Sequence, residues 1–210
     1  LSYGVIRGSH QYQVVNQKLK IDNLPEAFKG LKLVQISDIH SGSFWSKDAV
    51  QKGVDMINDQ KADMVFFTGD IVNNDASEMD DYIDVFSQIS APLGVFATMG
   101  NHDYGEYVPN FTPKDLPINK AKIQKVHDNL GWRLLMNEHE IIEKEGAQLA
   151  VVGIENWGAK MHFKKYGDMS KAISGVDANI PTLLLSHDPS HWRGEILQDY
   201  PQVDAMFSGH

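Results

Sequence analysis

Leu31-Lys32-Leu33-Val34-Gln35-Ile36-Ser37-Asp38-Ile39-His40 decides the fold. The run Leu33 to Ile36 is apolar enough to be a buried strand, and it delivers Asp38 and His40 directly past its carboxyl end. The same grammar recurs twice. Met64-Val65-Phe66-Phe67 runs into Gly69-Asp70, and Val95-Phe96-Ala97 into Gly100-Asn101-His102-Asp103. Between the first two runs, Ser46 reads as the N-cap of a helix with Val50, Val54 and Ile57 on one face. Between the second and third, Ser77 reads as the start of another, with Met79, Ile83, Phe86 and Ile89 inward. Strand-helix-strand-helix-strand over 33–98 implies a parallel sheet with right-handed crossovers.

Outward from this unit the signals change. Residues 11–21 alternate loosely (Tyr12, Val14, Leu19, Ile21) and read as an edge strand or arm, so 1–30 is set apart from a domain over 31–210. Residues 104–118, rich in Pro, Tyr and Asn, read as a long surface loop of the kind that often carries function. A third helix with Ile123, Val126 and Leu130 stops at Gly131. Glu138–Lys144 and Gln148–Ile154 flank Glu145-Gly146 as a β-hairpin. A strand at Thr182–Leu185, a short helix near 190–198 and a strand at 203–207 follow. A chain that stops just after such a strand reads as a fragment.

With 210 residues and 42% hydrophobic content, one sizeable core is expected. The formal net charge of −9 and the lack of a basic stripe speak against a nucleic-acid partner. There is no cysteine, so disulfides, thiolate metal sites and thiol catalysis are excluded. No run reaches the roughly 20 apolar residues of a membrane span.

In open parallel sheets the ligand crevice lies at the carboxyl ends of the strands. Asp38, His40, Asp70 and Asn101 all fall there. Hard oxygen with borderline nitrogen and no sulfur suits Mn²⁺, Fe or Zn²⁺. Asp70 is the natural bridging carboxylate, because its two oxygens can serve two ions. Ser186-His187 and Gly209-His210 add two more imidazoles. The remaining histidines, His10, His127, His139, His162 and His191, read as ordinary core or surface residues, with His162 the closest to a cleft-facing candidate. Asp75, Glu78, Asp80, Asp81 and Asp84 read as a solvated helix start favoured by the dipole.

The ordered set D-x-H, G-D, G-N-H-D, H and G-H resembles the metallophosphoesterases of the calcineurin-like superfamily, over about Leu31 to His210. The stretches Leu24 to His40 and Leu184 to Ser190 resemble a bacterial branch whose members often carry membrane segments outside this domain. The resemblance implies a four-layer α/β/β/α sandwich with two mixed sheets, here without its last strands. It implies two divalent metal ions (Mn, Fe or Zn): Asp38, His40 and the bridging Asp70 on the first, and Asn101, His187 and His210 on the second. It makes His102 the group that contacts the scissile phosphate and protonates the leaving oxygen, and Asp103 the partner that orients that imidazole. The family motif G-H-x-H has a second His that completes the first shell, and the present sequence stops at His210. The activity implied is hydrolysis of a phosphomonoester, phosphodiester or pyrophosphate bond by in-line attack of a metal-bridging hydroxide. Substrates would be phosphorylated small molecules or lipids. A lipid-linked nucleotide-sugar pyrophosphatase or phospholipid phosphoesterase is the alternative within the enzyme class. A non-catalytic metal-binding scaffold is the alternative outside it.

Overall fold

The computed structural model describes residues 12–158 and 164–210; His10 and His162 lie outside them. Eight strands form two sheets. The first holds β1 (Leu33–Ile36), β2 (Met64–Phe67), β3 (Val95–Ala97) and β4 (Arg133–Leu134), in that order and parallel throughout. The second holds β5 (Glu138–Lys144), β6 (Ala147–Gly153), β7 (Thr182–Leu185) and β8 (Ala205–Phe207). Its β5–β6 pair is the antiparallel hairpin expected around Glu145 and Gly146, both at positive φ, and its other pairs are parallel.

Side-chain alternation explains the layering. On β2, Met64 and Phe66 point into the space between the sheets, where they meet Leu149, Val151, Leu183 and Leu185. Val65 and Phe67 point the other way, to a core closed by α1 (Lys47–Asp59), α2 (Ile83–Phe86) and α3 (Asp115–Leu130). On the far side Val152, Ile154 and Leu184 pack against α4 (Met169–Ala172) and Ile196 of the irregular turn Trp192–Ile196. The result is helices, sheet, sheet, helices, with each inner strand buried on both faces as parallel pairing demands.

Three expectations need correcting. Of the two readings for the N-terminal segment, the edge strand does not form over residues 12–21, and Val14 and Leu19 stay exposed. The helix expected from Ser77 is a 3₁₀ turn, Ala76–Met79, capped by Asp75, followed by the single turn α2. Asp80, Asp81 and Asp84 place like charges three and four residues apart, which disfavours a continuous helix. The long loop is shorter than expected. Helix α3 begins at Asp115, since Pro117 falls in its first turn, where a missing N–H costs nothing. Ser46 does cap α1, accepting from the Ala49 N–H, and Gly131 closes α3 at φ +73°.

Candidate metal centre

The carboxyl ends of β1, β2 and β3 carry three loops that lean on one another. The Asp38 N–H donates to the Gly69 carbonyl, that of His40 to Asp70 and that of Ser41 to Ile71. This zipper runs only if the chain turns sharply after each strand. Asp38, His40 and Asp70 accordingly sit in the left-handed region at φ +53°, +47° and +61°, and His210 follows at +74°. Each such non-glycine residue costs roughly 1–2 kcal/mol. Gly69 and Gly100 allow the loops to touch. A Cβ on Gly69 would lie 2.5 Å from the Gly100 nitrogen, and one on Gly100 would fall onto Asp70 Oδ1.

The side chains converge on Asp70. Its Oδ2 lies 3.6 Å from His40 Nε2 and 3.2 Å from His187 Nε2. Two groups of donor atoms result, His40 with Asp70 and His102, and Asp70 with His187 and His210, each mutually within 4.8 Å. Asp38 stands beside them, 3.9 Å from His40 Nε2, with both oxygens accepting from the His210 N–H. Asn101 is buried, and its Oδ1 has no protein partner. Asp38, His40, Asp70, His187 and His210 therefore lie in one small volume at the strand ends, and Asn101 adjoins it through its chain neighbour His102.

The donor chemistry fits a cation. His187 is fully buried, and its Nδ1 hydrogen-bonds the Thr68 carbonyl, so Nδ1 carries a proton and, in the neutral ring, Nε2 presents a lone pair. That lone pair faces the Asp70 carboxylate at 3.2 Å without hydrogen-bonding geometry. Two electron pairs at such a distance call for a positive charge between them. When the charge is a proton, the balance shows it. Burial alone would lower the His187 pKa, but Asp70 and the Thr68 carbonyl outweigh burial and push it up to about 9. Burial likewise opposes ionisation of Asp70, yet His187 and the His102 amide hold it below the usual carboxylate range. Asn101 Oδ1 is a further buried polar atom without a protein partner.

The profile of the calcineurin-like phosphoesterase family matches residues 31–210. The chain belongs to that family. A transmembrane protein with metallophosphoesterase domain from Danio rerio is 29% identical over 213 residues, covering 99% of this chain and 46% of its own length. The UDP-2,3-diacylglucosamine pyrophosphatase LpxG of Chlamydia trachomatis is also 29% identical, covering 90% of this chain and 66% of its own length. This chain spans about half the length of the first of these relatives. The solved structure of phosphopantetheinyl hydrolase from Mycobacterium tuberculosis superposes with a TM-score of 0.50 at 13% identity, over 84% of this chain and 76% of that one. It shares the fold. Among the described residues no helix is long and apolar enough to cross a membrane.

Within this site one expected role changes hands. Asp103 does not orient His102. The fully buried Asp103 carboxylate accepts N–H groups from Asp70 (2.9 Å), Ile71 (2.8 Å) and Gly100 (2.8 Å) and so clamps two strand-end loops together. Burial and the Asp70 charge raise its pKa to about 7, against the pull of those amides. The His102 ring is oriented instead by the Asn73 carbonyl, 2.6 Å from Nδ1, which leaves Nε2 as its free end. Asn73 is in turn fixed by Glu78. That carboxylate takes the N–H groups of Gly42 (3.1 Å), Asn73 (2.6 Å), Asn74 (3.0 Å) and Asp75 (3.1 Å), tying the loop after β1 to the loop after β2. Glu78 is thus a bracing group and not one of a set of solvated acids. Its sequence signal was present in the Asp75-x-x-Glu78 capping box. No local pattern announces the Asn73 carbonyl, which acts through the backbone.

Proposed function

We propose that the chain hydrolyses a phosphoric ester or phosphoric anhydride with two divalent cations, one held by Asp38, His40 and Asp70 and the other by Asp70, Asn101, His187 and His210. Family membership supports the reaction class. The observation that supports the metal assignment is the gathering of ligand atoms from His40, Asp70 and His102, and from Asp70, His187 and His210, each set within 4.8 Å. When bound, the cations supply charge neutralisation for the phosphoryl oxygens and an activated water as nucleophile. The protein's own groups do the rest. Asp103 and Glu78 hold the loops rigid, so the ligand atoms need little rearrangement. His102, with Nδ1 engaged by Asn73, offers Nε2 to the departing oxygen as proton donor.

A second reading narrows the substrate to one with an aliphatic chain. A cavity of about 700 Å³ opens beside Asp38 and His40 and runs between β1 and α1. Its walls include Val34, Ile36, Ile39, Phe44, Val54 and Ile57. The groove lies on the β1 edge and not under the 104–118 loop. A relative that acts on a diacylated sugar nucleotide agrees with this reading.

The test is turnover of bis-p-nitrophenyl phosphate and p-nitrophenyl phosphate with added Mn²⁺, in the wild-type chain and in Asp70→Asn. Metal-dependent turnover lost in Asp70→Asn supports the proposal. Mn²⁺ binding without turnover of either ester, or of an acylated pyrophosphate tried next, would favour the scaffold alternative.

A further inference from the structure

We propose that Tyr107 is a positioning residue of this centre, holding the Asn101 amide and the His102 ring in their working orientations. Tyr107 is 46% exposed, so burial does not explain where its ring lies. Both of its polar and aromatic contacts are to site residues. Its Oη accepts from Asn101 Nδ2 at 2.8 Å, and its ring stacks on the His102 imidazole at 4.5 Å between centroids, tilted by 29°. The segment that leads into it is fastened. Tyr104 is buried and stacked on Tyr166 at 4.3 Å, and its hydroxyl accepts from the Asn156 N–H. Glu106 takes hydrogen bonds from Lys164 Nζ and Tyr166 Oη, both at 2.6 Å. Gly105 makes the turn at φ +73°.

The chemistry follows from the donor inventory of an amide. Only the oxygen of Asn101 can ligate a cation; the nitrogen end cannot. With Oη engaging Nδ2, the amide plane is fixed and Oδ1, buried and unpartnered, is the end left for the ion. Removing the hydroxyl leaves the amide free to rotate and Nδ2 without its partner. The stacked ring performs a separate task. Asn73 fixes one atom of the imidazole, and the Tyr107 face limits swinging of the ring about that bond.

This inference rests on Asn101 being a ligand, and the experiment separates the two claims. Mn²⁺ affinity is measured by chelator competition on wild type, Tyr107→Phe, Tyr107→Leu and Asn101→Ala, alongside kcat at saturating Mn²⁺ and the metal-free melting temperature. Tyr107→Phe keeps the stack and loses the hydroxyl. It is expected to bind the Mn²⁺ held by Asn101 about 10–100-fold less tightly, the size of an effect seen for a group that orients a ligand. Its kcat at saturating metal and its metal-free melting should match wild type. Tyr107→Leu should show the same affinity loss and, in addition, a kcat lower by about tenfold, a fraction of what general acid catalysis supplies. Wild-type affinity in Tyr107→Phe, with a weakened Asn101→Ala, would overturn the role of Tyr107 and leave the ligand assignment standing. Wild-type affinity in Asn101→Ala would overturn both. A drop in metal-free melting that accounts for the affinity loss would make Tyr107 merely structural and overturn the proposal.

Discussion

His127 should make the fold acid-sensitive in a way that one substitution removes. The ring is fully buried on α3 against Phe67 and Trp132, with Nδ1 hydrogen-bonded to the Ile123 carbonyl at 2.9 Å and no partner for Nε2. A second proton would therefore be buried unpaired. Burial lowers the pKa to about 4, against the smaller opposing pull of the Ile123 carbonyl and Asp128. The unfolded value is about 6.5. A depressed folded pKa means that the unfolded chain takes up the proton first as pH falls. The stability conferred by the neutral ring is complete above about pH 6.5 and is lost progressively down to about pH 4. The full window is worth about 3 kcal/mol, and between about pH 7 and pH 5 the loss is about 2 kcal/mol. With a urea slope of about 2 kcal/mol/M, the unfolding midpoint of wild type should fall by about 1 M more than that of His127→Leu over the same interval. All other titrating groups are common to both proteins, so the difference between the two pH dependences isolates this ring. Equal shifts in wild type and His127→Leu would refute the reasoning.

Metal removal should be visible in melting. Mn²⁺ at about a hundred times its dissociation constant stabilises by about 2.7 kcal/mol, which raises the melting temperature of a chain this size by roughly 5–10 °C. Excess EDTA should abolish the rise, and Asp70→Asn should show none, as read by differential scanning fluorimetry. Gly100→Ala puts its Cβ on Asp70 Oδ1 and 2.7 Å from the Asp70 nitrogen. It should cost about 1–3 kcal/mol in metal-free denaturation and erase the Mn²⁺-induced rise. Glu78→Gln replaces half of a carboxylate that accepts four backbone N–H groups with a donor. About 1–3 kcal/mol of stability should go with it. Because Asn73 then loosens its hold on His102, kcat should fall more than Mn²⁺ affinity, in steady-state kinetics at saturating metal.

The parts of this molecule legible in the sequence are those that repeat a local rule. Three apolar runs ending in Asx or His gave the order and direction of β1 to β3, and the ligands rode on them. Ser46, Gly131 and Glu145-Gly146 marked their caps and turn by local chemistry alone. What escaped was whatever depends on contact between distant segments. Strand β4 is two residues long and exists because Phe96 and Ala97 offer it an edge. Tyr107 reads as one more loop tyrosine until its ring is seen on His102. Asp103 was assigned to the imidazole next to it in sequence, whereas its carboxylate serves amides on the loop after β2, more than thirty positions away. Adjacency in sequence suggested the partner, and the fold overruled it because a fully buried carboxylate takes the densest set of N–H donors within reach.

Four of the six proposed ligands share one further property, a left-handed backbone: Asp38, His40, Asp70 and His210. Left-handed geometry strains any residue with a Cβ, even Asp and His, which adopt it more readily than most, so four such residues together point to surroundings that impose it. They do so through Asp103 and the inter-loop hydrogen bonds, neither of which touches a substrate. The carboxylate that braces the loops is also the group least able to tolerate a bare Asp70 beside it, since burial and the Asp70 charge both resist its ionisation. A cation on Asp70 relieves that repulsion while using the lone pair of His187. In the proposed metal-bound state strain, brace and ligand set are coupled, because a cation on Asp70 would take over the charge that a proton on His187 supplies without it. Asp103→Asn is the variant that separates the parts. It removes the repulsion and leaves one oxygen to accept, so the metal-free protein should lose some of its loop bracing yet depend less on Mn²⁺ for stability. A Mn²⁺-induced rise in melting temperature as large as that of wild type would show that the brace and the metal act independently.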